Sequence, residues 1–187
     1  MNVCTVPNVL TAARLLLVPA FVCVFQAGYF LWAAGIFVFA GVTDAVDGFL
    51  ARVLNQRSRL GTVLDPLADK LLLVSSFFCL AAADWVPMWL ALAVLARDVL
   101  IVGGIGGLYF LGMDMSRGIS PTAVSKANTA LQILLVSAAF IRHIWEIGLM
   151  WTLEVLVPVV AVSTLVSGVQ YVWIGFGYLN PSADSPS

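Results

Sequence analysis

From Leu15 to Thr43, and again from Val155 to Ala183, the chain carries no charged side chain. A bilayer core of about 30 Å is crossed by roughly 20 helical residues, so either stretch is long enough to span one. Hydrocarbon offers backbone N–H and C=O groups no water, which leaves only helices or closed barrels as spanning structures. No segment alternates as a barrel strand does, and an all-α fold is expected. Composition agrees: 61% of the 187 residues are hydrophobic and 10% are charged, with mean hydropathy +1.03. A soluble domain carries about 25% charged residues. Nine Lys and Arg against ten Asp and Glu give a net charge of −1, with no basic excess that would point to nucleic acid.

The same ruler divides the chain into six spans, near 6–27, 29–52, 65–83, 86–112, 120–141 and 148–176. The expected architecture is a polytopic integral membrane protein of six transmembrane helices, one membrane domain over 1–179 followed by a short polar tail at 180–187. Breaks fall at Gly28, Asn55 to Ser58, Asp84 to Pro87, Asp114 to Pro121, and around His143 to Glu146, all polar or helix-breaking. Lys and Arg favour the cytoplasmic side. Arg14, the pair Arg57 and Arg59, and Arg117 with Lys126 fall at alternate ends, which puts the N-terminus and the second and fourth loops in the cytoplasm. In a bacterium this is the inner membrane. The first apolar run has no small-residue cleavage pattern, so the N-terminus is expected to be retained. Cys4, Cys23 and Cys79 lie singly in apolar surroundings and read as packing residues rather than a disulfide framework or zinc site.

Scarce charge makes its clustering informative. Four of the ten acidic residues fall in TDAVDGFLARVLNQRSRLGTVLDPLADK, Thr43 to Lys70. On a helix, Asp44, Asp47, Gly48, Ala51 and Arg52 recur at i, i+3, i+4, i+7 and i+8, one face, and Asp65 and Asp69 share another at i and i+4. A short connection allows an antiparallel hairpin in which the two acidic faces meet at the cytoplasmic boundary, Gly61 serving the turn before the third span. Four carboxylates in one partly dry pocket repel one another unless cations compensate, and Arg52 and Lys70 are too few. Oxygen-only ligands select hard divalent ions such as Mg²⁺ or Mn²⁺. A two-metal carboxylate site is of the kind that clamps phosphates during displacement. Gly48 and Ala51 leave room for a bulky ligand on that face. The plainer alternatives are snorkelling residues at a loop or a cation-conducting ring.

The run Asp44-x2-Asp47-Gly48-x2-Ala51-Arg52-x8-Gly61-x3-Asp65-x3-Asp69 resembles, at all eight fixed positions, the signature of the CDP-alcohol phosphatidyltransferase family. That resemblance implies six transmembrane helices, a homodimer, and transfer of a phosphatidyl group from CDP-diacylglycerol to an alcohol with CMP as leaving group. It implies further that Asp44, Asp47, Asp65 and Asp69 hold two divalent ions, Mg²⁺ or Mn²⁺, on the pyrophosphate. Asp69 would also be the general base. Gly48 and Ala51 would contact the CMP moiety and Arg52 its phosphates. An interfacial site lets the lipid tails stay in the bilayer while the nucleotide stays wet.

Other residues extend the reading. PNVLTAAR, Pro7 to Arg14, resembles the opening of members that make phosphatidylglycerol phosphate or cardiolipin, where the Asn helps bind pyrophosphate, a role that would fall to Asn8. Alternatively Pro7 and Asn8 merely begin a helix and Arg14 snorkels. Arg97 and Asp98 sit deep in an apolar span, where an unpaired charge is expensive. Either they pair with each other or a neighbouring helix, or Arg97 binds a phosphate of the acceptor through its fork of donors. Lys126 is a similar case: an anchor, or part of a polar stripe with Thr129 and Gln132 that faces protein. The phosphatidylglycerol phosphate branch commonly carries a second lysine where this chain has Asn128. One fewer cation suits a monoanionic phosphodiester, so phosphatidylglycerol, giving cardiolipin, is the favoured acceptor and glycerol 3-phosphate the alternative. His143 reads as a polar residue at the surface, the tryptophans as an aromatic belt mostly near span ends, and Gly103, Gly104, Gly106 and Gly107 as a surface for close helix packing. Two other classes compete. An intramembrane prenyltransferase would not need the Gly-x2-Ala-Arg continuation, and a cation transporter would use the aspartates as an ion site.

Overall fold

The computed structural model describes the backbone of residues 6–54, 61–110, 122–145 and 150–179, and the side chains of residues 13, 15–43, 70–104, 122–145 and 152–175. Among the described residues all regular structure is helical: α1 (Val6–Gln26), α2 (Phe30–Leu54), α3 (Gly61–Ala82), α4 (Met88–Phe110), α5 (Ala123–Trp145) and α6 (Met150–Leu179). Two boundaries depart furthest from expectation. Gly61 is the first residue of α3 rather than part of a preceding turn, and α5 runs on through Arg142 and His143 to Trp145. Hydropathy marks only the apolar middle of a helix, whereas the backbone ladder continues into its polar ends. Arg142 there faces the carbonyl end of the helix dipole favourably.

Two turns are built the same way. After α1 the Gly28 N–H donates to the Phe25 carbonyl and the Tyr29 N–H to that of Val24. After α3 the Asp84 N–H donates to the Ala81 carbonyl and the Trp85 N–H to that of Leu80. These paired bonds satisfy the last carbonyls of a helix and require a left-handed residue just past its end. Gly28 takes φ +82° and Asp84 φ +58°. At the start of α5 the Thr122 Oγ1 accepts the Ser125 N–H at 3.2 Å, an N-cap.

The chain forms two compact units, one of residues 1–86 with 136–148, the other of 87–135 with 149–187. In the first, α1 packs along α2 and α3. Phe21 and Phe25 of α1, Ala33, Phe37 and Ala40 of α2, and Leu73, Phe77 and Leu80 of α3 are buried at helical spacing. Phe140 from the end of α5 meets Phe21 and Phe25 edge-on, at 6.2 and 6.0 Å between ring centroids. In the second unit α4 packs on α6, burying Leu90, Val94, Arg97 and Ile101 of α4 and Leu153, Val160, Thr164 and Ser167 of α6.

The faces turned outward are as apolar as those turned inward. Along α6, Val155, Val159, Val162, Leu165, Val166, Val169 and Trp173 are all exposed. A soluble protein rarely leaves so continuous an apolar surface in water. Two described stretches are long and apolar enough to cross a membrane, Ala123–Trp145 and Thr152–Gly175. Shorter apolar stretches occupy Leu15–Gln26, Phe30–Thr43 and Lys70–Ala82.

Candidate active site

Within the first unit, Asp44, Asp47, Gly48, Ala51 and Arg52 fall on α2, and Asp65 and Asp69 on α3. Helical backbone through both segments sets the members of each acidic pair about one turn apart along the chain. The side chains of all seven, and that of Asn8 on α1, lie outside the described residues. Their neighbours are described: Thr43 Oγ1 bonds back to the carbonyls of Phe39 and Ala40, 2.9 Å each, and Lys70 is half-buried. As a donor set, four carboxylates fit a hard divalent cation and not zinc. Among the described residues no group of three or more His, Cys, Asp or Glu could hold a metal ion.

The opposite end of α2 is aromatic. The His143 ring stacks on Trp85 at 3.9 Å and meets Phe30 edge-on at 4.7 Å, and Trp85 also contacts Phe25 and Phe140. Trp85 is half-buried and makes these ring contacts, whereas Trp32, Trp89, Trp145 and Trp173 are exposed. A cleft of about 420 Å³ opens beside His143 and Tyr29 to Trp32. Phe30 precedes Asp44 by roughly 21 Å of helix rise, so this cleft is remote from the aspartates.

The second unit contains a polar seam. Arg97 and Asp98 are 5% and 6% exposed. Arg97 Nη1 donates to Asp98 Oδ1 at 2.7 Å. Its Nε and Nη2 donate to Ser167 Oγ at 3.1 and 2.7 Å, and Nη2 donates to Ser125 Oγ at 2.5 Å. Its stem passes Gly168, where an added Cβ would lie 3.9 Å from Arg97 Cγ, and its guanidinium sits 6.0 Å from the Tyr171 ring. A guanidinium this dry is tolerable because a counter-charge and hydroxyls receive its donors. Of the two alternatives for Arg97 and Asp98, pairing with each other is what the side chains do.

The seam continues along α5 and α6. Thr122 Oγ1 donates to Gln170 Oε1 at 3.1 Å. Asn128 is fully buried, and its Oδ1 accepts from Ser163 Oγ at 2.6 Å and Thr164 Oγ1 at 3.0 Å. Thr164 Oγ1 accepts in turn from Gln132 Nε2 at 3.5 Å, and Ser163 Oγ also lies 3.0 Å from the Val160 carbonyl. Asn128 Nδ2 has no partner, alone among the buried side-chain nitrogen and oxygen atoms of the described residues. An unmet buried donor costs about 1–3 kcal/mol. Of the expected stripe, Gln132 is buried, Thr129 half-buried and Lys126 exposed. The polar residues of α5 bonded to other helices are half-buried Ser125 and buried Asn128 and Gln132. Their i, i+3, i+7 spacing, and that of Ser163, Ser167 and Gln170 at i, i+4, i+7 on α6, was the signal available in the sequence.

Comparison with known proteins agrees with the signature. Residues 4–169 match the family model described as CDP-alcohol phosphatidyltransferase. The chain is similar to a cardiolipin synthase (CMP-forming) / mitochondrial hydrolase fusion protein of Schizosaccharomyces pombe, 36% identical over 91% of this chain and 31% of that protein. It is similar to the cardiolipin synthase (CMP-forming) of Homo sapiens, 34% identical over 93% of this chain and 62% of that protein. A third relative is the CDP-diacylglycerol–glycerol-3-phosphate 3-phosphatidyltransferase of Bacillus subtilis, 29% identical over 88% of this chain and 92% of that protein. The chain therefore spans less than two thirds of the length of the first two relatives.

Proposed function

The chain belongs to the CDP-alcohol phosphatidyltransferase family, and from that premise we propose that it is a multi-pass membrane enzyme of phospholipid synthesis. It transfers the phosphatidyl group of CDP-diacylglycerol to a hydroxyl of a glycerol-type acceptor and releases CMP. Phosphatidylglycerol, giving cardiolipin, is the acceptor favoured by two of the relatives named above. A second reading, glycerol 3-phosphate giving phosphatidylglycerophosphate, is favoured by the Bacillus subtilis relative, most of whose length the match covers.

In this reaction the acceptor oxygen forms a bond to the phosphorus on the diacylglycerol side of the pyrophosphate. The bond from that phosphorus to the CMP oxygen breaks, its electron pair leaving with CMP. Asp69 takes the hydroxyl proton as general base. Asp44, Asp47 and Asp65 join Asp69 in holding two divalent ions, Mg²⁺ or Mn²⁺, which when bound neutralise the pyrophosphate and the departing nucleotide. Asn8 and Arg52 bind the phosphates of the CDP moiety, and Gly48 and Ala51 leave room for it. Arg97, whose Nε, Nη1 and Nη2 already bond Ser167, Asp98 and Ser125, would reach an acceptor phosphate only by exchanging one of these partners for it, with Lys126 as a second cation. The domain is 1–179, its active face is cytoplasmic, and it works as a homodimer.

The observation that carries the reading is the eight-position acidic run, read together with helical backbone at both of its aspartate pairs. The test is CMP release by the purified protein from CDP-diacylglycerol with Mn²⁺ or Mg²⁺, comparing phosphatidylglycerol, glycerol 3-phosphate, inositol phosphate and serine. Asp69→Asn is expected to retain part of the CDP-diacylglycerol binding and lose turnover by about 10² to 10⁴ fold or more. Near-normal turnover of that variant removes Asp69 from the role of base. Cation flux in vesicles lacking CDP-diacylglycerol, without CMP from any acceptor, would establish the transporter instead.

A further inference from the structure

We propose that Arg14 is a positioning residue of the acidic site, the chain's own counter-charge to Asp44 and Asp69 in the metal-free state. The inference deepens the function proposed above and rests on it. The side chains of all three lie outside the described residues, and what relates them is the register of the helices that carry them. Helix α1 packs along both α2 and α3. The Phe21 ring of α1 lies 6.4 Å from that of Phe37 on α2, and the Phe25 ring 5.2 Å from that of Phe30, beside the turn that joins the two helices. Arg14 precedes Phe21 by seven residues, and Asp44 follows Phe37 by seven. Seven residues are about two turns and 10.5 Å of rise, and return to within about 20° of the same face. Arg14 and Asp44 therefore stand at one level on the facing sides of α1 and α2.

Helix α3 brings Asp69 to that level too. Its end lies beside the end of α1, the Phe25 ring being 5.3 Å from that of Trp85, whose N–H bonds the Leu80 carbonyl. Arg14 precedes Phe25 by eleven residues and Asp69 precedes Leu80 by eleven. Asp69 continues the stripe of buried Leu73, Ser76 and Leu80. On α1, exposed Ala13, Leu15, Leu16, Pro19 and Cys23 mark the outward face, which leaves Arg14 on the face of buried Phe21 and Phe25. Asp44, Asp47, Asp65 and Asp69 are the acidic residues of these three helices, and Lys70 is turned about 100° round α3 from Asp69. A guanidinium inside a membrane helix is costly without a counter-charge, and the carboxylates at its level are those of Asp44 and Asp69. One cation among four carboxylates lessens their mutual repulsion, and it also repels an arriving divalent ion.

Arg14→Gln tests this, beside Arg14→Lys, which keeps the charge. Thermal unfolding in detergent at mildly alkaline pH is followed after chelation and then through a Mn²⁺ titration, with no substrate present. The glutamine variant is expected to unfold at a lower temperature than the wild type when metal-free and to bind Mn²⁺ about tenfold more tightly, so that it gains more stability from the ion. The lysine variant is expected to stay near the wild type in both respects. Should the glutamine variant fail to fold without metal, recovery of its fold in Mn²⁺ supports the inference and failure to recover overturns it. A folded glutamine variant with the wild-type Mn²⁺ affinity also overturns it, whatever its stability, and leaves Arg14 as a packing or snorkelling residue. That same affinity together with a raised CDP-diacylglycerol KM makes it a substrate ligand instead. A wild type that neither binds Mn²⁺ nor releases CMP overturns the functional reading and this inference with it.

Discussion

At the scale of single residues, the interior of the second unit is governed by desolvation. Arg97 and Asp98 are neighbours on α4, and their contact at 2.7 Å takes place where water does not compete. Removing one member of a buried pair costs about 3–5 kcal/mol, because the other charge stays dry, while replacing both by apolar groups is often neutral. Arg97→Met is accordingly expected to lower the melting temperature in detergent sharply, and Arg97→Met with Asp98→Leu to recover much of the loss. Arg97→Lys should fall between, since an ammonium cannot reach Asp98, Ser125 and Ser167 through one planar fork. A melting temperature for Arg97→Met equal to that of the wild type would show that the guanidinium contributes no stability. The charges themselves were legible from the sequence, as was the option that they pair. The hydroxyls of Ser125 and Ser167 were not singled out, because serine is common in membrane helices and only a three-dimensional partner separates a contact from a bystander.

Among the helices, the sequence located each apolar core and misjudged ends. Gly28 and Asp84 were recognised as breaks, and the structure adds the reason: each is the left-handed residue that closes a helix. Gly28 isolates the conformational cost, because an added Cβ there meets nothing within 4 Å. Gly28→Val is expected to destabilise by about 1–2 kcal/mol through φ alone, read as a shift in thermal or denaturant unfolding in detergent. An unshifted transition would mean that the turn relaxes to negative φ without loss. The helix pairings were beyond reach of a periodicity argument. Phe21 and Phe25 on α1 give a stripe at i and i+4, but nothing in their spacing says that Phe140, far along the chain, will meet both rings. The stack of His143 on Trp85 is beyond a periodicity argument for the same reason, although His143 is exposed, as its reading as a surface residue expects, and Trp85 half-buried. The aspartate pattern is local, two pairs one helix turn apart, and the structure makes both segments helical.

For the whole molecule, the proposed function takes six helices across the bilayer. Their lengths run from 21 residues in α1 to 30 in α6, roughly 32 to 45 Å at 1.5 Å per residue, which exceeds a hydrocarbon core of about 30 Å. The connections alternate in charge. Segment 55–60 contains Arg57 and Arg59 and segment 111–121 contains Arg117, whereas 27–29 and 83–87 contain no Lys or Arg. Retention of Lys and Arg in short cytoplasmic loops then assigns the first two segments to one side and the last two to the other. Single cysteines introduced into a chain lacking Cys4, Cys23 and Cys79 test the assignment. With a membrane-impermeant maleimide, Ser58→Cys and Ser116→Cys are expected to react in inverted vesicles and to be protected in intact cells. Ala27→Cys and Asp84→Cys, both at exposed positions, are expected to show the reverse. Reaction of Ala27→Cys and Ser58→Cys from the same side would mean that α2 does not cross.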